Sequence, residues 1–390
     1  MASNSAVQSE MTKTGELETT VIDRSPVLSD HGRANAEDAR LGRRKEFLAY
    51  IKTKQFWVVL LLGQVLALCI VGTNTLSSLL NGAGANIPAF QTFFNYVLLN
   101  AIWTSITLYK YGFKKWGKMV YTDGWRYFIL AFLDVEGNYF TVLAYRYTTI
   151  LSAQLINFWA IVVVVVMSFL FLKVRYGWTQ ILGIFVCIGG MGLLFASDHI
   201  TGANNFPAEN QLKGDLFALL GATFYGFSNA FQEFLVSKRP MYEVVGQLAF
   251  WAMIINGVQA GIFDRSSFRA AAAVYQPKVG GYIAGFDLLL TIFYSLAPIL
   301  FRMSSAAFFN ISLLTGNFWG TIVGIHVFHY TVHWLYPVAF VLIIVGLFVY
   351  FIMDGTLGDS LKPWLGENQE QGVSGVGTAR RRLDKPNVIV

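Results

Sequence analysis

The sequence predicts an all-α membrane protein, ten transmembrane helices arranged as two inverted-topology repeats of five. Three observations predict it: composition, the spacing of apolar runs, and a segment that recurs. Of 390 residues, 55% are hydrophobic and only 13% charged, with mean hydropathy +0.50. A soluble domain carries roughly 25% charged residues, so this much apolar surface belongs in a lipid bilayer. Apolar runs of about 20 residues, the length that crosses a bilayer, fall at 56–80, 88–110, 125–146, 149–172, 178–197, 214–237, 243–263, 281–302, 304–328 and 333–353. The connections between the third and fourth runs and between the eighth and ninth are very short, so nine or eleven spans fit nearly as well.

The flanks follow from composition. Residues 1–50 are polar and read as a disordered N-terminal tail, with no cleavable signal peptide expected ahead of the first run. Residues 355–390, with Arg380, Arg381 and Arg382, read likewise. The first five spans occupy 51–198, a connecting loop 199–213 and the second five 214–354. With a cytosolic N-terminus, the inner side collects Arg43, Arg44, Lys45, Lys52, Lys54, Lys114, Lys115, Lys118, Lys173, Arg175, Lys238, Arg239 and Arg302. Arg146, Lys213, Arg265, Arg269 and Lys278 fall outside. The positive-inside bias thus puts both tails in the cytosol.

The recurring segment is Asn-Phe-Trp, at Asn157–Trp159 and Asn317–Trp319. Each copy is followed by a span that opens on Trp and closes on Asp, Trp178 to Asp198 and Trp334 to Asp354. Gly190 and Gly346 stand at the same offset, as do Phe195 and Phe351. Convergent membrane-helix composition is the competing explanation. A five-span unit repeated once accounts for the match, and because five is odd the second copy enters the membrane from the opposite side. That is a common plan of secondary transporters.

Composition also excludes function classes. The net charge of +6 gives no nucleic-acid signal, because much of the basic charge flanks apolar runs. Cys69 and Cys187 lie inside apolar runs, which disfavours a disulfide or a cysteine metal site. His326, His329 and His333 lack supporting acids, so no metal is expected. No phosphate loop or catalytic constellation appears; the chain reads as a non-enzyme without cofactor.

Candidate site residues are polar groups deep in the spans, where they are costly and face a cavity or a partner. The third span holds Asp134, Glu136, Asn138 and Tyr139. Helical geometry puts Asp134 and Asn138 on one face and Glu136 nearly opposite, so one acid lines a cavity while the other packs on a neighbouring helix. In the sixth, Tyr225, Ser228, Asn229 and Gln232 form a polar stripe, with Glu233 at its edge or at the cytosolic interface near Lys238. The fourth span offers Ser152, Gln154 and Asn157; the ninth offers Asn310, Ser312, Thr315 and Asn317. In an inverted repeat Asn157 and Asn317 face one another beside Trp159 and Trp319, and aromatic walls with amides suit a planar polar ligand such as a nucleobase. The competing role for each of these groups is helix-to-helix bonding. Gln64, Thr73, Asn74, Gln91 and Asn95 are scattered further polar positions. Gly316, Gly320 and Gly324 form a small-residue stripe for close packing on a helix of the same chain or, alternatively, of a homodimer partner.

These residues carry a resemblance. DVEGNYFTVLAYRYTT (Asp134–Thr149) with LSAQL (Leu151–Leu155), YGFSNAFQEFLVSK (Tyr225–Lys238) and LLLGQVLALCIVGTNTLSSLL (Leu60–Leu80) resemble the F branch of solute carrier family 35 over about 50–354. The resemblance implies the ten-helix drug/metabolite transporter fold and cytosolic termini. It also implies a small-molecule substrate, nucleobase- or nucleoside-like as with queuine and queuosine, or nucleotide-sugar-like as in the wider family. Glu136, Asn138, Tyr139 and Gln154 match the branch's motif. Asn157 stands where an acid is common, and Gln232 precedes Glu233 where two acids are common, which removes carboxylates from the pathway and favours uniport or exchange over proton-driven transport. The expected function is secondary transport by alternating access, in the plasma membrane or an endomembrane such as Golgi or vacuole; a non-transporting receptor or trafficking scaffold is the alternative.

Overall fold

The computed structural model describes residues 54–85, 87–147, 153, 156–157, 159–173, 176–201, 211–265, 277–327 and 334–352. Eleven α-helices run through them. They are α1 Lys54–Gly82, α2 Pro88–Leu99, α3 Ser105–Tyr147, α4 Trp159–Leu170, α5 Trp178–Thr201, α6 Gln211–Lys238, α7 Met241–Phe263, α8 Pro277–Met303, α9 Ala306–Leu313, α10 Gly316–Val327 and α11 Leu335–Ile352. Among the described residues, five stretches are long and apolar enough to cross a membrane: Trp57–Gly82, Pro88–Tyr147, Met241–Phe263, Pro277–Met303 and Ala306–Val323.

Local chemistry explains the helix ends. Pro88 opens α2, where its missing N–H costs nothing. One turn of π-helix, Asn100–Thr104, joins α2 to α3. Within α3, Gly112 has φ 73° and ψ 158°, a region open in practice only to glycine, so two helical segments meet there across a sharp kink. The expected loop between the second and third spans is therefore helical. Tyr109, Phe113 and Tyr121 are exposed along it, interleaved with lysines, a composition suited to a membrane–water interface. Ser305 caps α9, its side chain accepting from the Phe308 N–H at 3.1 Å. Leu314 and Thr315 form a turn that separates α9 from α10, so the expected ninth span is broken in the middle.

Apolar side chains point both ways, as they do in a protein solvated by lipid. Tyr96, Leu130, Leu248, Phe301, Phe308 and Phe309 are buried in one continuous core. Leu61, Phe169, Phe185, Ile262, Leu288 and Phe348 stand exposed around it.

Helix pairing fixes the site. α5 packs on α11, α3 on α6 and α7, α1 on α8, α2 on α7, α4 on α6, and α9 and α10 on α1. The α5–α11 seam is close because its glycines are bare. A Cβ on Gly183 would lie 2.6 Å from the Tyr350 nitrogen, and one on Gly190 would lie 3.0 Å from the Ala339 oxygen. Between them, the Cys187 thiol donates to the Ile343 carbonyl at 3.5 Å. Gly316, the first residue of the small-residue stripe, lies against Ala67 and Val71 of α1 in the same chain.

Candidate functional site

A cavity of about 140 Å³ lies where α1, α3, α6, α8, α9 and α10 meet the turn before α4. That is well above the roughly 10–15 Å³ a single water needs. Phe286, Phe293, Phe309 and Tyr294 supply aromatic wall, and the polar lining includes Asn74, Asp134, Asn138, Asn157, Gln232 and Asn317.

Asp134 anchors the polar side. Its residue is 4% exposed, and its carboxylate accepts from three hydroxyls: Tyr294 at 2.6 Å, Tyr96 at 2.8 Å and Ser228 at 3.3 Å. One turn on, Asn138 points the same way. Its amide nitrogen donates to the Tyr294 hydroxyl at 2.6 Å and the Tyr96 hydroxyl at 2.8 Å, while its carbonyl accepts from the Tyr225 hydroxyl at 2.8 Å. The intervening Gly137 leaves room for the Tyr225 ring, which a Cβ there would meet at 2.9 Å. Four helices, α2, α3, α6 and α8, are thus tied through one carboxylate and one amide. No Lys, Arg or His lines the cavity among the described residues.

Opposite, Asn229 donates to Asn310 at 3.2 Å, and Asn310 turns its own amide to the Ala306 carbonyl at 2.7 Å. Gln232 is buried, lines the cavity, and its Nε2 has no hydrogen-bond partner. An unmade buried donor costs about 1–3 kcal/mol. Asn157 and Asn317 both line the cavity, each in or beside a helix break: Asn157 in the turn before α4, Asn317 in the first turn of α10.

The structure therefore gathers seven of the predicted site residues around one cavity: Asp134, Asn138, Asn157, Tyr225, Asn229, Gln232 and Asn317. Four others point elsewhere. Glu136 accepts from the Gln259 amide of α7, on the face of α3 opposite Asp134. Tyr139 packs on Phe140 and Phe263. Glu233, one residue past Gln232 and so rotated off its face, accepts the Ala306 N–H at 2.9 Å and closes the N-terminus of α9. It is buried there rather than at an interface. Trp319 donates to Gln64 at 3.2 Å, and Trp159 donates to Thr223 at 3.1 Å, so neither indole lines the cavity. Gln154, with Ser152, His329 and His333, lies outside the described residues. Of the scattered polar positions, Thr73 and Asn74 line the cavity. Gln64, Gln91 and Asn95 do not; Gln91 donates to Ser77 at 2.7 Å.

Sequence reasoning missed Tyr96 and Tyr294. The available signal was a tyrosine in mid-span, whose hydroxyl needs a partner when buried. It also missed a second buried cluster where α6 meets α7. Arg239 pairs with Asp123 at 2.9 Å and Glu243 at 3.0 Å, while Tyr127 and Tyr111 donate to Glu243 at 2.7 and 2.9 Å. Burial works against the Arg239 charge, but Tyr127, Asp123 and Glu243 outweigh it and hold the guanidinium more firmly protonated than usual. Consecutive Lys238 and Arg239 read in sequence as an open, positively charged loop; Arg239 is in fact buried.

Comparison with known proteins agrees on family. A family model described as solute carrier family 35 matches residues 52–352. A solute carrier family 35 member of Schizosaccharomyces pombe is 53% identical over 352 residues, 88% of this chain and 68% of that protein. Solute carrier family 35 member F2 of Xenopus tropicalis is 33% identical over 295 residues, covering 74% of this chain and 75% of the relative. The mouse member F2 is 32% identical over 308 residues, covering 78% and 82%. A solved crystal structure superposes with TM-score 0.57 over 80% of this chain and 99% of its own, at 16% identity, a likeness of fold.

Proposed function

This chain belongs to the F branch of solute carrier family 35, and on that premise we propose that it is a secondary transporter of a small polar organic solute, nucleobase- or nucleoside-like. It works by alternating access between two inverted five-helix repeats, 51–198 and 214–354. The observation that carries the reading is the cavity itself, polar and aromatic, walled by both breaks at Asn157 and Asn317, with the Gln232 Nε2 unpaired in its lining. Broken helices at the meeting of two repeats are where such transporters hold substrate.

Helix pairing supports the ten-span inverted plan. The kink at Gly112 divides the α2–α3 stretch into a second and a third span, and α9 with α10 makes a ninth. Exchanging the repeats turns the third–sixth pair into the eighth–first pair, and the fourth–sixth pair into the ninth–first pair. The second–seventh and fifth–tenth pairs map onto themselves. All of these pairs are present. The seam between α5 and α11 follows the same exchange residue by residue. The offset that aligns Trp178 with Trp334 aligns Gly183 with Ala339, Cys187 with Ile343 and Gly190 with Gly346. Gly183 meets Gly346, Gly190 meets Ala339, and Cys187 meets Ile343. That is the pattern of a local two-fold axis through Cys187 and Ile343.

Charge narrows the solute. Asp134 is the charged group in the lining, and no cation accompanies it among the described residues. A diphosphate would bring negative charge and find no Arg or Lys to receive it. Amides, hydroxyls and aromatic rings suit a neutral or cationic heterocycle, so a nucleobase or nucleoside fits better than a nucleotide sugar.

The test is uptake by cells lacking the gene against cells overexpressing it, with nucleobases, nucleosides and nucleotide sugars at two external pH values. Accumulation of the nucleobase or nucleoside class in step with expression is expected. No difference for any solute, with the protein at the cell surface, would favour the receptor or scaffold.

A further inference from the structure

Asp287 is a further membrane-embedded carboxylate, and the cavity does not use it. It lies on α8 seven residues before Tyr294, hence on the same helix face and about 10 Å along the axis from it. The residue is 4% exposed. Its Oδ1 has no hydrogen-bond partner.

Its neighbourhood is polar but uncharged. Asn95 of α2 lies beside the carboxyl through its backbone. The Asn95 side-chain oxygen accepts from Thr291, one turn along α8, at 3.0 Å, and its Nδ2 is buried without a partner. The helices packed on α8 are α1, α2, α6, α7 and α9. Their titratable groups are engaged elsewhere or stand at helix ends. Tyr96 and Tyr225 belong to the Asp134 network, Glu243 and Tyr242 to the cluster around Arg239 and Tyr111, and Glu233 to the start of α9. Cys69 is an apolar-core thiol on α1. Lys54, Lys213 and Lys238 sit in the first or last turns of α1 and α6, and Asp215 is the fifth residue of α6. α9 has no titratable group. Arg239 pairs with Asp123 and Glu243, and neither ion pair reaches Asp287.

An ionised carboxylate so placed would pay a large desolvation cost without a cation to offset it. A protonated one carries no charge and gains a donor. We propose that Asp287 is a proton-binding site separate from Asp134. The polar face of α8 then links two acids. Asp287 and Thr291 meet Asn95 of α2; one turn further, Tyr294 meets Asp134, as does Tyr96, the next residue after Asn95. A proton bound at Asp287 is thereby positioned to move in step with changes at the cavity. That link to solute movement rests on the transporter reading; the occupancy of Asp287 does not.

The experiment is infrared difference spectroscopy of the purified full chain in lipid nanodiscs, neutral against alkaline pH, for wild type, Asp287→Asn and Asp134→Asn. The expected result is a carboxylic-acid C=O band in wild type that persists in Asp134→Asn and is lost in Asp287→Asn. Asp287→Glu, which keeps the acid, shifts the band without abolishing it, and this variant serves if Asp287→Asn fails to fold. A band unchanged in Asp287→Asn or unshifted in Asp287→Glu overturns the proposal. So does a carboxylate band that moves when sodium chloride replaces choline chloride with no acid band present, which would make the site a sodium site. If the band behaves as expected and no solute is transported, the proton site stands and the transporter reading falls.

Discussion

The Asp134 network and the Asp123–Arg239–Glu243 cluster are built from the same parts and left in opposite states. In each, two tyrosine hydroxyls close on one carboxylate: Tyr96 and Tyr294 on Asp134, Tyr111 and Tyr127 on Glu243. The cluster adds a guanidinium that pairs with Glu243, and the Glu243 carboxylate is sealed from solvent. The network has no cation among the described residues and opens on a cavity. A carboxylate paired with a buried cation is fixed, because parting the charges is costly. One held by neutral hydroxyls can exchange a hydroxyl for a ligand's donor at little net cost. The first arrangement braces the bundle; the second suits a site that binds and releases.

The largest effect should come from breaking the brace. Glu243→Ala leaves Arg239 buried with Asp123 as its remaining acid, and we expect a loss of about 3–5 kcal/mol, read as a lower thermal midpoint in detergent. A midpoint within a degree of wild type would show that the cluster bears no strain.

Next in size is the network. Asp134→Asn keeps the shape and removes the charge that draws a ligand's donors. Hydrogen bonds to charged groups are worth about 1.5–3 kcal/mol, so substrate affinity should fall roughly tenfold to a hundredfold while the thermal midpoint barely moves. Unfolding without any change in affinity would reverse the contrast drawn above and make Asp134 the brace.

The α5–α11 seam gives a smaller, purely steric effect. Gly183→Ala puts a methyl 2.6 Å from backbone and should cost about 1–3 kcal/mol. Gly189→Ala, on open space six residues on, should stay within about 0.5 kcal/mol. Equal effects of the two would argue against the close seam and the two-fold axis drawn through it.

The smallest expected effect is a pH slope at Asp264, just past α7, which accepts the Phe90 N–H at 2.8 Å. Burial raises its carboxyl above the ordinary range, partly countered by hydrogen bonds from Phe90 and Ala89. The folded state then holds this proton more tightly than the unfolded chain, so stability falls as pH rises from the ordinary aspartate range through the raised folded value. Asp264→Asn should flatten that part of a stability–pH curve.

Much of the architecture was legible in the sequence because lipid imposes a length and a composition. Faces were legible too. Four-residue spacing put Asp134 with Asn138 and opposed Glu136, and the structure sends Glu136 to Gln259. Illegible were the partners that other helices bring. Tyr96 and Tyr294 look like ordinary aromatic residues until α2 and α8 close on Asp134, and Arg239 looks like a loop charge until α3 brings Asp123 against it. Trp159 and Trp319 misled for a related reason: an indole N–H in an apolar setting seeks the nearest acceptor, and Thr223 and Gln64, though on helices that wall the cavity, do not line it.

The most direct measurement is uptake of a nucleoside and of a nucleotide sugar by cells expressing wild type, Gln232→Leu or Glu136→Gln at matched surface levels. The account predicts that wild type and Glu136→Gln accumulate the nucleoside, that Gln232→Leu does not, and that the nucleotide sugar is excluded throughout. Loss of uptake in Glu136→Gln with Gln232→Leu intact, or a preference for the nucleotide sugar, would contradict it.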